Sequence, residues 1–144
     1  MIVDASVLID AVADPGPRGI AARRALAAAP EAEELRAPGH LPAEVLSGLR
    51  AAALRPAHPL LLDEVHRALE RVERLEVLVE ASPWADVHRA WELARGSLRY
   101  SDALYVATAE RRREVLVTAD ARIGRSGAPL TCQVLTVHPA AIDA

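Results

Sequence analysis

The 144-residue chain contains no lysine; all 17 of its basic residues are arginine. Chemistries that need a lysine near a phosphoryl group are therefore closed to it, and with no glycine-rich loop after any strand-like run, neither is there a Walker-type nucleotide site. Phenylalanine is also absent, and two Trp and two Tyr are the only large aromatics, so the core must be aliphatic. The single cysteine, Cys132, has no internal disulfide partner and no His or Cys beside it, which excludes a sequence-local zinc motif and fits a reducing cytoplasm. No run approaches the roughly 18 apolar residues of a membrane span. The opening Met1-Ile2-Val3-Asp4 does not have the basic-then-apolar form of a leader, so the mature protein is expected to start there. Long Gly/Ser linkers, low-complexity tracts and internal repeats are missing too, and residues 1–144 are expected to form one domain.

What is present is acidic overall but uneven. The formal net charge of −3 gives no global attraction to nucleic acid, so binding to it would need a local basic patch or a metal ion. Residues 95–125 carry seven Arg against four acids, whereas residues 31–80 carry six Arg against ten.

Periodicity predicts alternating strands and helices. Met1-Ile2-Val3 reads as a strand ending at Asp4, followed by a helix through Val12 with Ser6 as its cap. Helices are predicted over Arg18–Ala29, from Pro42 to Leu54, and from Leu60 to Val72, with a short extended piece at Leu35-Arg36-Ala37. Residues 75–79 switch to a strand pattern. Ser82-Pro83 then opens a helix toward Gly96, and Ser101 caps another that reaches Arg113. Residues 114–118 form the clearest buried strand, and residues 132–137 an edge or penultimate one. Such alternation implies an α/β fold with a parallel sheet and helices on both faces.

In a sheet of this kind functional residues gather at the carboxyl ends of the strands. Asp4 ends the first strand and Asp120 follows the strand over 114–118, while Glu44 and Asp102 fall in the first turns of the helices opening at Pro42 and Ser101. Four carboxylates brought together repel and raise one another's pKa values unless a cation sits among them. With oxygen donors and no His or Cys in the set, the fitting cation is hard and divalent, Mg²⁺ before others. Such a site suits metal-assisted hydrolysis of a phosphodiester.

Four blocks carry a resemblance: residues 2–9 (Ile2-Val3-Asp4-Ala5-Ser6-Val7-Leu8-Ile9), 41–50 around Pro42-Ala43-Glu44, 100–110 around Tyr100-Ser101-Asp102-Ala103, and 116–122 around Thr118-Ala119-Asp120. In order and spacing they resemble the motif blocks of the PIN domain, over nearly the whole chain. The resemblance implies a three-layer fold with about five parallel strands ordered 3-2-1-4-5, dependence on Mg²⁺ or Mn²⁺, and RNA as substrate. At this length the chain is similar to VapC-type toxins of toxin–antitoxin pairs, which implies a small cognate antitoxin and a homodimer. By motif position Asp4, Asp102 and Asp120 would bind metal, with Glu44 completing the site directly or through water. One position departs from the pattern: Arg122 stands where another acid or Asn often lies, which leaves open whether a second metal is held.

Other residues have two readings. Ser6 and Thr118 could meet a water or phosphate, Ser6 serving equally as a cap, and Arg122 is a candidate phosphate contact. Arg99, Arg111, Arg112, Arg113 and Arg125 could do the same, although a run of Arg at a helix end ordinarily serves the helix dipole and solvation. His40 reads as a surface or capping residue, Ser47, Gly48 and Ala51 as a close-packing face, and Trp84 and Trp91 as core or dimer interface. Two rival functions stay open: a PIN-like module that binds RNA or protein without catalysis, whose mark would be a missing acid, and a nuclease acting on DNA.

Overall fold

The computed structural model describes residues 1–139. Among them, β1 (Ile2–Val3), α1 (Ala5–Ala13), α2 (Pro17–Ala27), β2 (Arg36–Pro38), α3 (Leu41–Ala53) and α4 (Leu62–Glu73) build the first half. The second half consists of β3 (Leu78–Glu80), α5 (Trp84–Leu93), α6 (Tyr100–Arg112), β4 (Leu116–Thr118), α7 (Ala121–Gly124) and β5 (Val134–Thr136). The five strands form one parallel sheet in the order β3-β2-β1-β4-β5, as the family resemblance implied.

Burial follows that order. Ile2 and Val3 in the central strand are wholly inaccessible, whereas Leu78 and Val79 at one edge and Leu135 at the other are exposed. The core is aliphatic, with Tyr105 as its only buried aromatic side chain among the described residues. Helix α1 packs on α2, α3 and α4, and α6 lies along α5 and against β1, β2 and β4. Gly48 sets the approach of α3 to α1, since a Cβ there would stand 2.2 Å from Ile9 Cδ1. The small-residue face read around Glu44 is in this respect a packing face.

Several local expectations need correction. Ser6, Ser82 and Ser101 are not the caps: the N-cap positions are Asp4, Pro83 and Arg99, and Asp4 Oδ1 itself accepts the Ser6 N–H at 3.3 Å. A carboxylate one residue before the helix reaches the free amides and leaves the Ser6 hydroxyl for other partners. The strand expected over 75–79 begins only at Leu78, because Leu75 and Glu76 still donate to Val72 and Glu73 and Glu76 turns to φ 50°. Apolar Leu75 thus belongs to the turn that closes α4, and Val77 to the link before the strand. Trp84 and Trp91 are not core: they are 79% and 61% exposed, and Trp91 stacks on the equally exposed Tyr100 with centroids 6.0 Å apart. The short helix α7 was not expected at all.

Candidate metal and phosphodiester site

The sheet starts in its middle, runs out to β3 and returns on the far side of β1 as β4. A crevice therefore opens between the carboxyl ends of β1 and β4. Asp4 follows β1, and Asp120 follows β4 after Ala119; each caps the next helix with its side chain, Asp4 to Ser6 N–H and Asp120 to Arg122 N–H. Thr118 ties the two together. Its hydroxyl donates to Asp4 Oδ2 at 2.5 Å and accepts the Asp120 N–H at 2.9 Å, while the Ser6 hydroxyl donates to Asp4 Oδ2 at 2.9 Å and accepts the Ala119 N–H at 3.0 Å. Thr118 is fully buried, so its hydroxyl serves the acids and not a substrate group. Ser6 stays partly accessible.

Asp102 enters from the first turn of α6 and Glu44 from the first turn of α3. Arg99 bridges two of the acids: Nε and Nη2 bind Asp102 at 2.9 and 3.2 Å, and Nη2 reaches Asp120 Oδ2 at 3.4 Å. Arg122, which is largely exposed, holds Asp120 through Nε and Nη2. These guanidiniums occupy the place the sequence argument gave to a metal. The mutual repulsion expected of four acids is correspondingly muted. Asp120 is held below the usual carboxylate range, first by the hydrogen bond from Arg122. Asp4 is pushed up, first by burial, against the hydrogen bonds from Thr118 and Ser6; the charge on Asp102 adds the least.

Do these residues fit a divalent ion? Among the described residues no three His, Cys, Asp or Glu side chains stand grouped tightly enough to hold one as they are. Arg99 is lodged between Asp102 and Asp120, so closing the acids on an ion requires it to swing out. The chemistry nevertheless fits: every donor is an oxygen, and Glu44 Oε2 is buried with no hydrogen-bond partner. Arg99 and Arg122 pair with Asp102 and Asp120 alone, so with all four carboxylates ionised, Asp4 and Glu44 would leave two negative charges unbalanced. That is the charge of one divalent cation.

The PIN-domain family model matches residues 1–128. The chain belongs to the PIN-domain family. It is 37% identical over 130 residues to Ribonuclease VapC3 of Mycobacterium tuberculosis, covering 88% of this chain and 86% of that one. Two solved structures are similar in fold: VapC20 of Mycobacterium tuberculosis, a sarcin-ricin loop cleaving toxin (TM-score 0.64, 20% identity, 88% of this PIN domain and 95% of that chain), and VapBC2 of Rickettsia felis bound to a promoter DNA fragment (TM-score 0.68, 10% identity, 95% and 98%).

The remaining arginines of the PIN domain sort by partner. Arg111 and Arg112 are committed to Glu80 and Asp86, away from the crevice. His40 stands at the helix cap that the sequence offered as one reading, but its side chain is neither the capping group nor simply on the surface. It occupies the N-cap position of α3 without a side-chain cap bond, and its ring turns inward, edge-to-face with Tyr105 at 4.9 Å and with Nε2 3.7 Å from Glu44 Oε2. Sequence reasoning passed over Tyr105 entirely. Its one signal was position: it lies three residues after Asp102, one turn further along the same helix.

Proposed function

We propose that residues 1–144 form one PIN domain acting as an Mg²⁺-dependent endoribonuclease, the toxin of a toxin–antitoxin pair. The observation that carries this reading is the crevice's oxygen-only donor set with its surplus of two negative charges, in a chain 37% identical to a named ribonuclease. Asp4, Asp102 and Asp120 would hold the ion, with Glu44 completing the set directly or through water; Mn²⁺ would serve in its place. A divalent ion so held supplies polarisation of the scissile phosphate and activation of the attacking water. Thr118 and Ser6 fix Asp4 by hydrogen bonds that oppose, without cancelling, the upward push of its burial. With an ion among the acids, Arg99 would turn out from between Asp102 and Asp120 while staying beside the carboxylates it balances, and its planar, two-pronged fork would be placed to hold an RNA phosphate.

All four acids are present, which disfavours a catalytically silent binding module. RNA is preferred over DNA on the strength of the relatives, since no reader of the 2′-hydroxyl stands out. A small antitoxin partner is supported by the toxin–antitoxin complex among the similar structures. It is supported also by an apolar groove between α1, α2 and α4, lined by Val12, Leu26, Leu35 and Leu75, of the kind an amphipathic helix covers. A homodimer is supported by the exposed stripe of Trp84, Val87, Trp91 and Tyr100. Among the described residues no helix is long and apolar enough to cross a membrane, and we place the protein in the cytoplasm.

The test is to incubate the protein with RNA and matched single-stranded DNA, with Mg²⁺ or with chelator, beside Asp4→Asn and Asp120→Asn. The reading expects metal-dependent RNA cleavage lost in both variants. Cleavage in chelator, or full activity in both variants, overturns it.

A further inference from the structure

Of the four acids, Glu44 alone is held by no Arg, Ser or Thr. Asp4 has Ser6 and Thr118, Asp102 has Arg99, and Asp120 has Arg122 and Arg99. Beside Glu44 lie two more buried polar atoms in the same condition: His40 Nε2, Glu44 Oε2 and the Tyr105 hydroxyl are out of reach of water, and none has a partner in full hydrogen-bond geometry among the described residues. They form one cluster. The His40 and Tyr105 rings meet edge-to-face at 4.9 Å, His40 Nε2 is 3.7 Å from Glu44 Oε2, and the Tyr105 phenol feels first its burial, then the charges of Glu44 and Asp4, with Glu44 also near enough to share its hydrogen.

Unpaired polar atoms inside a protein cost free energy and are rare, and three together call for a role. Packing does not supply one for the phenol oxygen, because the Tyr105 ring alone would fill its place in the apolar core. The Tyr105 side chain is wholly inaccessible and flanked by carboxylates, so the phenol keeps its hydrogen and has one donor to give. Glu44 comes from α3 and Tyr105 from α6. A bond between them would fix a carboxylate that is otherwise free to turn.

We infer that Tyr105 is a positioning residue for Glu44: its hydroxyl donates to one carboxylate oxygen, His40 confines the same carboxylate from the α3 side, and the second oxygen is thereby aimed into the acid crevice. The inference rests on the metal-site reading of the four acids. Partners of this kind set metal affinity by orienting the group that binds.

Tyr105→Phe removes the hydroxyl and keeps the ring. Metal-free thermal unfolding, Mn²⁺ affinity from the electron paramagnetic resonance of free Mn²⁺, and kcat and KM for RNA are measured on wild type, Tyr105→Phe, Glu44→Gln, the double variant and His40→Phe. We expect Tyr105→Phe to be as stable as wild type, to bind Mn²⁺ about 10- to 100-fold more weakly, and to lose kcat while keeping its RNA KM at saturating metal. Because Tyr105 acts through Glu44, the double variant should bind Mn²⁺ no worse than Glu44→Gln alone. His40→Phe should weaken Mn²⁺ binding in the same direction and decides the question if Tyr105→Phe does not fold. Wild-type Mn²⁺ affinity in Tyr105→Phe, or a loss that adds to that of Glu44→Gln, overturns the inference. Asp4→Asn separates the two levels: if it abolishes Mn²⁺ binding while Tyr105→Phe does not, only the inference fails, and if it too binds normally, the metal-site reading fails with it.

Discussion

Helix α6 has an arginine–carboxylate cluster at each end, and the two differ in balance. At the carboxyl end, Arg111 and Arg112 bind Glu80, and Arg111 also binds the buried Asp86, so two guanidiniums meet two carboxylates. At the amino end, Arg99 binds Asp102 and Asp120 and Arg122 binds Asp120, whereas Asp4 and Glu44 have no guanidinium on them among the described residues, and polar atoms beside Glu44 are buried without good hydrogen bonds. The first cluster closes on itself and stabilises the packing of β3, α5 and α6. The second cannot close without a further cation, and imbalance at the carboxyl edge of a parallel sheet is what separates a working site from a structural one.

The largest contrast should come from neutralising one acid in each cluster. Asp120→Asn is expected to lower kcat/KM for RNA on the order of 10³-fold, since losing a ligand of the catalytic ion removes several kcal/mol of transition-state stabilisation. Its denaturation midpoint should barely move. Asp86→Ala should do the reverse: unfolding free energy falls by about 2 kcal/mol, because a buried carboxylate bonded to Arg111 and Thr108 is lost, while cleavage by the folded fraction persists. If both variants lose activity equally, the two clusters are not distinct.

Arg99→Ala sharpens the contrast from the cationic side. Without a guanidinium lodged between Asp102 and Asp120, Mn²⁺ should bind several-fold more tightly, and the KM for RNA should rise about tenfold as a phosphate contact goes. Calorimetry and steady-state kinetics read the two effects separately.

The smallest effect is on acid stability, where the clusters should differ in sign. Arg112, with Arg111 behind it, holds Glu80 down from its ordinary 4.5 to about 2. Its contribution is complete above about pH 4.5 and is lost as pH falls toward 2, because the unfolded chain protonates first on the way down. Asp4 is shifted the other way, chiefly by burial, so the folded metal-free chain takes up its proton more readily than the unfolded one, and ionising Asp4 with rising pH costs stability. Metal-free Asp4→Asn should therefore melt no lower than wild type at neutral pH, whereas Glu80→Gln should flatten the fall below pH 4.5. Melting temperature against pH shows both.

Much of this was legible in the sequence, and unevenly so. Strand geometry alone placed Asp4 and Asp120 at one edge, and order 3-2-1-4-5 followed from the four motif blocks. The signals that misled were local. Ser before a helix reads as a cap wherever it stands, yet at Asp4 and Ser6 the stronger acceptor two residues earlier won. Leu75 and Val77 read as strand because periodicity cannot tell the end of a helix from the start of a buried run. Least visible were Arg99 between two acids, and Tyr105 and His40 beside Glu44, since contacts across α3, α6 and the β4 loop have no sequence period.

A divalent cation should therefore find a place in the amino-end cluster and none in the carboxyl-end cluster. Titrating Mn²⁺ into wild type, Asp4→Asn and Asp86→Asn by calorimetry tests it directly. Saturable binding to wild type and to Asp86→Asn with similar affinity, and none to Asp4→Asn, is the expected result. Binding that survives in Asp4→Asn, or disappears in Asp86→Asn while the fold is retained, would contradict it.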